Sequence, residues 1–173
     1  MKNKIVRLLI LLLIVAGNLS CDQVSKSVVR EKIAYMQQVP VLGHFITLTR
    51  VENTGAFLSL GQTWPYLLKL ILLIILPVAT IIAVAIHILR KHTLPLLTII
   101  ALGFIIGGGI GNLYDRVLYG RVTDFVHMDF RLFQTGIFNM ADVSVMTGTL
   151  LMLVELVLRM RRGPSKPVTG SVE

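Results

Sequence analysis

The sequence has a single cysteine, Cys21, so no disulfide within the chain can staple its fold. Charge is also scarce: 15% of the 173 residues are charged, against 54% that are hydrophobic, whereas an ordinary soluble domain carries roughly a quarter. Of the two signs the acidic one is the scarcer, nine Asp and Glu against seventeen Lys and Arg, giving a formal net charge of +8. There is no internal repeat and no low-complexity tract, and nothing marks a boundary between two domains. These absences leave little for a water-soluble protein to be built from.

Long apolar runs are what the chain does have. About 20 apolar residues cross the ~30 Å hydrocarbon core of a bilayer as a helix, and residues 5–24, 66–89, 94–113 and 138–158 each meet that length. The reading is an α-helical membrane protein with four transmembrane helices in one embedded domain, residues 1–162. The last stretch, 163–173, with Pro164, Pro167 and Gly170, reads as a disordered tail. Lys2, Lys4 and Arg7 precede the first run, Arg90 and Lys91 sit in the link between the second and third, and Arg159, Arg161, Arg162 and Lys166 follow the last. That distribution places both termini in the cytoplasm and argues against nucleic acid as a partner. Ser20 and Cys21 resemble a lipoprotein cleavage box, but Asn18 and Leu19 fit it poorly. With three further spans behind it, the first run reads as a retained helix.

Two polar inserts, 27–64 and 115–137, then lie on the extracytoplasmic side. In the first, Phe45, Thr47, Thr49 and Val51 alternate with Ile46, Leu48 and Arg50, a β period, and Asn53 to Phe57 reads as a turn. In the second, Val122, Asp124, Val126 and Met128 share one face if the stretch is a strand. The topology brings the unusual polar residues to one interface: Asp22 and Lys26 at the outer end of the first span, Asn112, Asp115 and Arg116 at that of the third, Asn139 and Asp142 at the start of the fourth, and Asn53 and Asp124 in the inserts. Ionisable residues at such places are costly unless they serve a purpose.

Several of these clusters have ordinary explanations. Asp22 and Lys26, four apart, share a helical face and make an ion pair. Asp115 and Arg116 make an interfacial charge pair, and Asn139 with Asp142 makes a helix cap. Gly107, Gly108, Gly109 and Gly111 lack the flanking strand and helix of a nucleotide loop and suit close helix packing. Asp124, His127 and Asp129 fall on both faces of a strand, without a zinc-type motif, so no metal or other cofactor is expected. Asp124 and Asp142 are different. Two carboxyls held close in a partly dry pocket titrate as a unit, with one keeping a proton, which suits paired acid and base catalysis. No Ser and His pairing offers a covalent nucleophile instead. A proton-coupled carrier would spread polar residues through the midplane and show internal symmetry, and this chain does neither.

Five blocks in order, Asp22-Gln23-Val24-Ser25-Lys26, Asn53-Thr54-Gly55-Ala56-Phe57, Gly108 to Arg116, Val122-Thr123-Asp124-Phe125 and Phe138-Asn139-Met140-Ala141-Asp142, resemble the lipoprotein signal peptidase family, or signal peptidase II. Thr123 stands where that family more often has an aliphatic residue. The resemblance implies an intramembrane aspartic endopeptidase of the bacterial inner membrane, acting on diacylglyceryl-modified prolipoproteins among membrane lipid; the chain is read as a monomer. It implies Asp124 and Asp142 as the catalytic dyad and Asn53, Gly108, Asn112, Arg116 and Asn139 as lining the site. Asp22 and Lys26 would form a supporting pair at its rim, beside Asp115. The first insert would be a cradle over the site and the second a lid.

Overall fold

A computed structural model describes residues 4–56, 59–91 and 93–162. Lys2, Phe57 and the 163–173 tail, to which the sequence assigns roles, lie outside the described residues. The elements are α1 (Lys4–Lys32), β1 (Gln38–Leu42), β2 (Ile46–Asn53), α2 (Tyr66–Leu70), a π-helical turn (Ile71–Ile75), α3 (Leu76–Arg90), α4 (Leu96–Tyr119), β3 (Val122–Met128) and α5 (Met140–Arg162). Four helical stretches are long and apolar enough to span a membrane: Lys4–Lys32, Tyr66–Arg90, Leu96–Tyr119 and Met140–Arg161. The expected class, a four-helix membrane protein with a small β element, is the observed one.

Two spans run further than the hydropathy marks. The first continues as regular helix to Lys32 and the third to Tyr119, so Asp22, Lys26, Asp115 and Arg116 are all helical. Gly120 stops α4 in a left-handed conformation, φ 68°, with its N–H on the Arg116 carbonyl, a helix end that glycine adopts without strain. In the second span Pro77 lacks an N–H and its ring would crowd the Leu73 carbonyl. The wider turn at Ile71–Ile75 lies just where that crowding would fall.

α4 is the centre of the bundle, held between α1 and α5 by glycine contacts. Gly103, Gly107 and Gly111 form one face at four-residue spacing. A methyl there would come within 2.9 Å of Ile14, 2.9 Å of Asn18 and 2.6 Å of Asp22, respectively. A methyl on Gly108 would lie 2.4 Å from the Ala141 carbonyl oxygen, and one on Gly148 of α5 would lie 2.5 Å from that of Ala101. Such close backbone approach is how helices associate where lipid removes the hydrophobic drive.

The two polar inserts build a single structure. β1, β2 and β3 form one antiparallel sheet in that order, with Val51 opposite Asp124 and Asn53 opposite Val122. The second insert, expected as a separate lid, thus contributes the third strand of the cradle, because its apolar face needs a partner and β2 offers a free edge. Val29, Ile33 and Phe125 pack as a buried cluster beneath this sheet, joining it to the end of α1. Arg50 of β2 adds a hydrogen bond to the Arg30 carbonyl at 2.9 Å. After β3 the chain doubles back. Phe125 and Val126 donate to the Phe138 carbonyl, and Phe138 donates to Val126, which sets the start of α5 directly beside Asp124.

Candidate active site

The start of α5 is shaped by a reciprocal cap. Asn139 Oδ1 accepts the Asp142 backbone N–H at 3.0 Å, and Asp142 Oδ2 accepts the Asn139 N–H at 3.1 Å, an Asn and Asp version of the capping box. The cap expected from the sequence is therefore present, and it holds more than a helix end. Asn139 Nδ2 donates to Asp124 Oδ1 at 2.6 Å and to Asn112 Oδ1 at 3.1 Å. Asn112 Nδ2 donates to Asp142 Oδ1 at 2.8 Å. From the sheet, Asn53 Nδ2 donates to Asp124 Oδ2 at 2.9 Å and to the Ala56 carbonyl, while its Oδ1 accepts the Gly55 N–H. Asp124 and Asp142 are thus oriented by three asparagines, and Asn139 binds both.

These side chains enclose a cavity of about 20 Å³ lined by Asn53, Ala56, Asn112, Arg116, Val122, Asp124, Ile137, Asn139 and Asp142. By that measure it has room for roughly one water molecule. Asp124 is 5% exposed. Burial pushes its carboxyl up to about 6, and the neighbouring Asp142 charge pushes the same way, against hydrogen bonds from Asn53 and Asn139 that favour the ionised form. Arg116 reaches over the cavity to the Gly55 carbonyl, its terminal nitrogen donating at 2.9 Å. Its Nε is buried without a hydrogen-bond partner among the described residues.

Four predicted residues lie off the cavity. Asp22 and Lys26 were expected at its rim, but both are fully buried. Lys26 Nζ sits between Asp22 Oδ2 at 2.8 Å and Asp115 Oδ2 at 3.1 Å, and donates to Asn112 Oδ1 at 3.0 Å. Helical spacing placed Asp22 and Lys26 on one face but did not say what that face would meet, and it meets the C-terminal third of α4. Asp115 turns to Lys26 and to Arg30 at 3.2 Å, away from its expected partner Arg116, because adjacent residues on a helix point in different directions. Gly108 packs one turn below Asn112 and supports the site from beneath.

Sequence reasoning missed Gln23 and Arg30. Gln23 Nε2 bridges Asp22, the Gly111 carbonyl and Asp115, and Arg30 pairs with Asp115. Asp22, Lys26 and Arg30 recur every four residues, a stripe of charge that would have marked one helix face. Asp22 Oδ1 also accepts the Ala141 N–H at 2.9 Å, so α1 helps to satisfy the first turn of α5.

The family model described as Signal peptidase (SPase) II matches residues 6–158. The chain belongs to the signal peptidase II family. Among its relatives, the lipoprotein signal peptidase of Clostridium acetobutylicum is 30% identical over 149 residues, covering 86% of this chain and 94% of that one. The one from Bacillus subtilis is 32% identical over 152 residues, covering 87% and 92%. Two solved structures titled as bacterial membrane enzymes superpose with TM-scores of 0.81 and 0.73, at 26% and 25% identity. They cover 91% and 85% of this chain and 93% and 92% of their own. As a signal peptidase II with four apolar spans, the protein is a peptidase of a bacterial membrane.

Proposed function

We propose that this signal peptidase II is an aspartic endopeptidase that frees prolipoproteins of their signal peptides, cutting just before the diacylglyceryl-modified cysteine. The observation that carries the reading is the pair of carboxylates, one from β3 and one from α5, held by the same Asn139 around a cavity with room for a water. The names of the relatives supply the substrate class. The basic ends of the spans support a reading with both termini in the cytoplasm and the aspartates at the periplasmic interface of the inner membrane, in a protein that acts as a monomer.

Asp124 is the acid in this scheme. Its raised pKa keeps a proton available. Asp142, oriented by Asn112 and by the start of its own helix, is the base. Water in the cavity attacks the carbonyl carbon, giving its proton to Asp142 while Asp124 protonates the carbonyl oxygen. The resulting gem-diol collapses as Asp142 returns its proton to the leaving nitrogen and Asp124 regains one from a hydroxyl. The C–N bond breaks with both carboxyls restored. Arg116 and Asn53 hold the substrate backbone as it unwinds, supplying partners that lipid cannot.

The surroundings suit a substrate with two apolar parts. A groove of about 280 Å³ walled by Phe138, Val143 and Met146 runs up to Asp142. Another of about 450 Å³, with Tyr66, Leu70 and Leu73, opens at Arg116. A signal helix and a pair of acyl chains can then leave the scissile bond in different directions while staying in lipid. The test is cleavage of a lipidated precursor in membranes. Asp124→Asn and Asp142→Asn should each cost at least on the order of 10² in rate, with unchanged membrane insertion, and full activity in either variant would overturn the dyad.

A further inference from the structure

A separate feature lies at the opposite, basic end of the bundle. There a cavity of about 450 Å³ opens between α3 and α5 over the start of α4. Its walls are mostly aliphatic, and its polar groups are His87, Lys91, Thr98, Glu155 and Arg159. Glu155 is 7% exposed and is paired with Arg159 at 2.9 Å, which leaves Lys91 as a further positive charge. α4 begins beside it after Pro95, with no side-chain cap and no acidic residue in its first turn, so the free N–H groups of that turn add positive potential. Thr98 is 5% exposed, and its hydroxyl is buried without a hydrogen-bond partner among the described residues. An unmatched hydroxyl beside an uncapped helix start, with Lys91 and the Glu155-paired Arg159 around it, is a group of donors that outnumbers its one carboxylate.

We propose that this cavity binds an anionic phospholipid from the leaflet at the basic end, its phosphate at Lys91, Arg159 and the first turn of α4, its acyl chains along the aliphatic walls. Charge complementarity decides against the amino-terminal end of a signal peptide as occupant, because that segment is itself basic and would meet Lys91 and Arg159. The apolar walls decide against free phosphate. The binding is independent of the peptidase chemistry, which lies at the other end of the helices.

Native mass spectrometry of the full-length protein in detergent, titrated with phosphatidylglycerol or phosphatidylcholine, tests this. The preference for phosphatidylglycerol should be about fivefold, from the one basic side chain, Lys91, that no carboxylate in the cavity offsets. It should vanish in the combined Lys91→Gln, Glu155→Gln, Arg159→Gln variant, which leaves no buried carboxylate unpaired. Ala83→Trp, which fills the cavity from its lipid-exposed wall, should lower binding of both lipids while cleavage of precursor continues. Equal binding of the two lipids by the wild type, or a preference unchanged in the triple variant, would overturn the proposal. So would displacement of phosphatidylglycerol by inorganic phosphate, or by a signal peptide in proportion to the basic residues at its amino terminus.

Discussion

Replacing Lys26 by Met removes one ammonium and keeps most of the side-chain volume, so its effect isolates charge. In the wild type that ammonium has three partners at 2.8, 3.0 and 3.1 Å, and Lys26, Asp22 and Asp115 are all 0% exposed. The replacement leaves two buried carboxylates with one remaining cation, Arg30, on Asp115. Removing one partner of a buried pair costs roughly 3–5 kcal/mol, since the stranded charge keeps its desolvation penalty. At about 2–4 °C per kcal/mol for a chain of this length, the melting temperature should fall by roughly 6–20 °C. Asp22→Asn in the same molecule should recover part of the loss, with a coupling of about 0.5–3 kcal/mol. Catalysis should suffer separately. Lys26 orients Asn112, and Asn112 donates to Asp142, so Lys26 is a positioning residue and kcat should fall with little change in KM. Thermal unfolding in detergent and precursor cleavage measure the two effects. A Lys26→Met protein that melts within about 3 °C of wild type, or a double variant less stable than the single, would refute the account of a buried charge cluster.

Three further outcomes follow from the same geometry. Because the Asp124 pKa is raised to about 6 from 3.8 in the folded protein, the folded state binds more protons than the unfolded between those values. Its contribution to stability is therefore present at low pH and lost as pH rises through about 6. Asp124→Asn should melt above wild type at pH 7 and lose that advantage near pH 4; an advantage independent of pH would contradict the burial argument. Gly108→Ala forces a methyl against the Ala141 carbonyl and should cost about 1–3 kcal/mol. It should also cut activity by up to roughly 10²-fold by displacing Asp142, while Gly120→Asn, at a tolerant helix end, should leave activity intact. Arg116→Lys removes the planar donors that reach the Gly55 carbonyl and should raise KM more than it lowers kcat in the cleavage assay.

The sequence made the spans and the candidate aspartates readable for one physical reason: in a chain this apolar, a carboxylate beside the bilayer stands out. Helix spacing also made the Asn139 and Asp142 cap readable. It could not disclose that β3 would join β2, because strand periodicity fixes which face is apolar and not which distant edge will pair. Nor could it show that Lys26 lies at the floor of the site. A hydropathy window ends a span at its first charges, whereas α1 and α4 keep their helical hydrogen bonds past those charges and neutralise them against each other. The extents of α1 to Lys32 and of α4 to Tyr119 follow from that mutual pairing, which no single segment reveals.

The shared hold of Asn139 on both aspartates has a consequence for biogenesis. Asn139 begins the last helix, so a chain still being synthesised can insert α1 through α4 and form the sheet without Asp142 or the amide that orients Asp124. If Asp124 and Asp142 act as proposed, the pair is complete only once α5 has entered the bilayer. Under the proposed mechanism, hydrolysis would then depend on α5 docking beside β3.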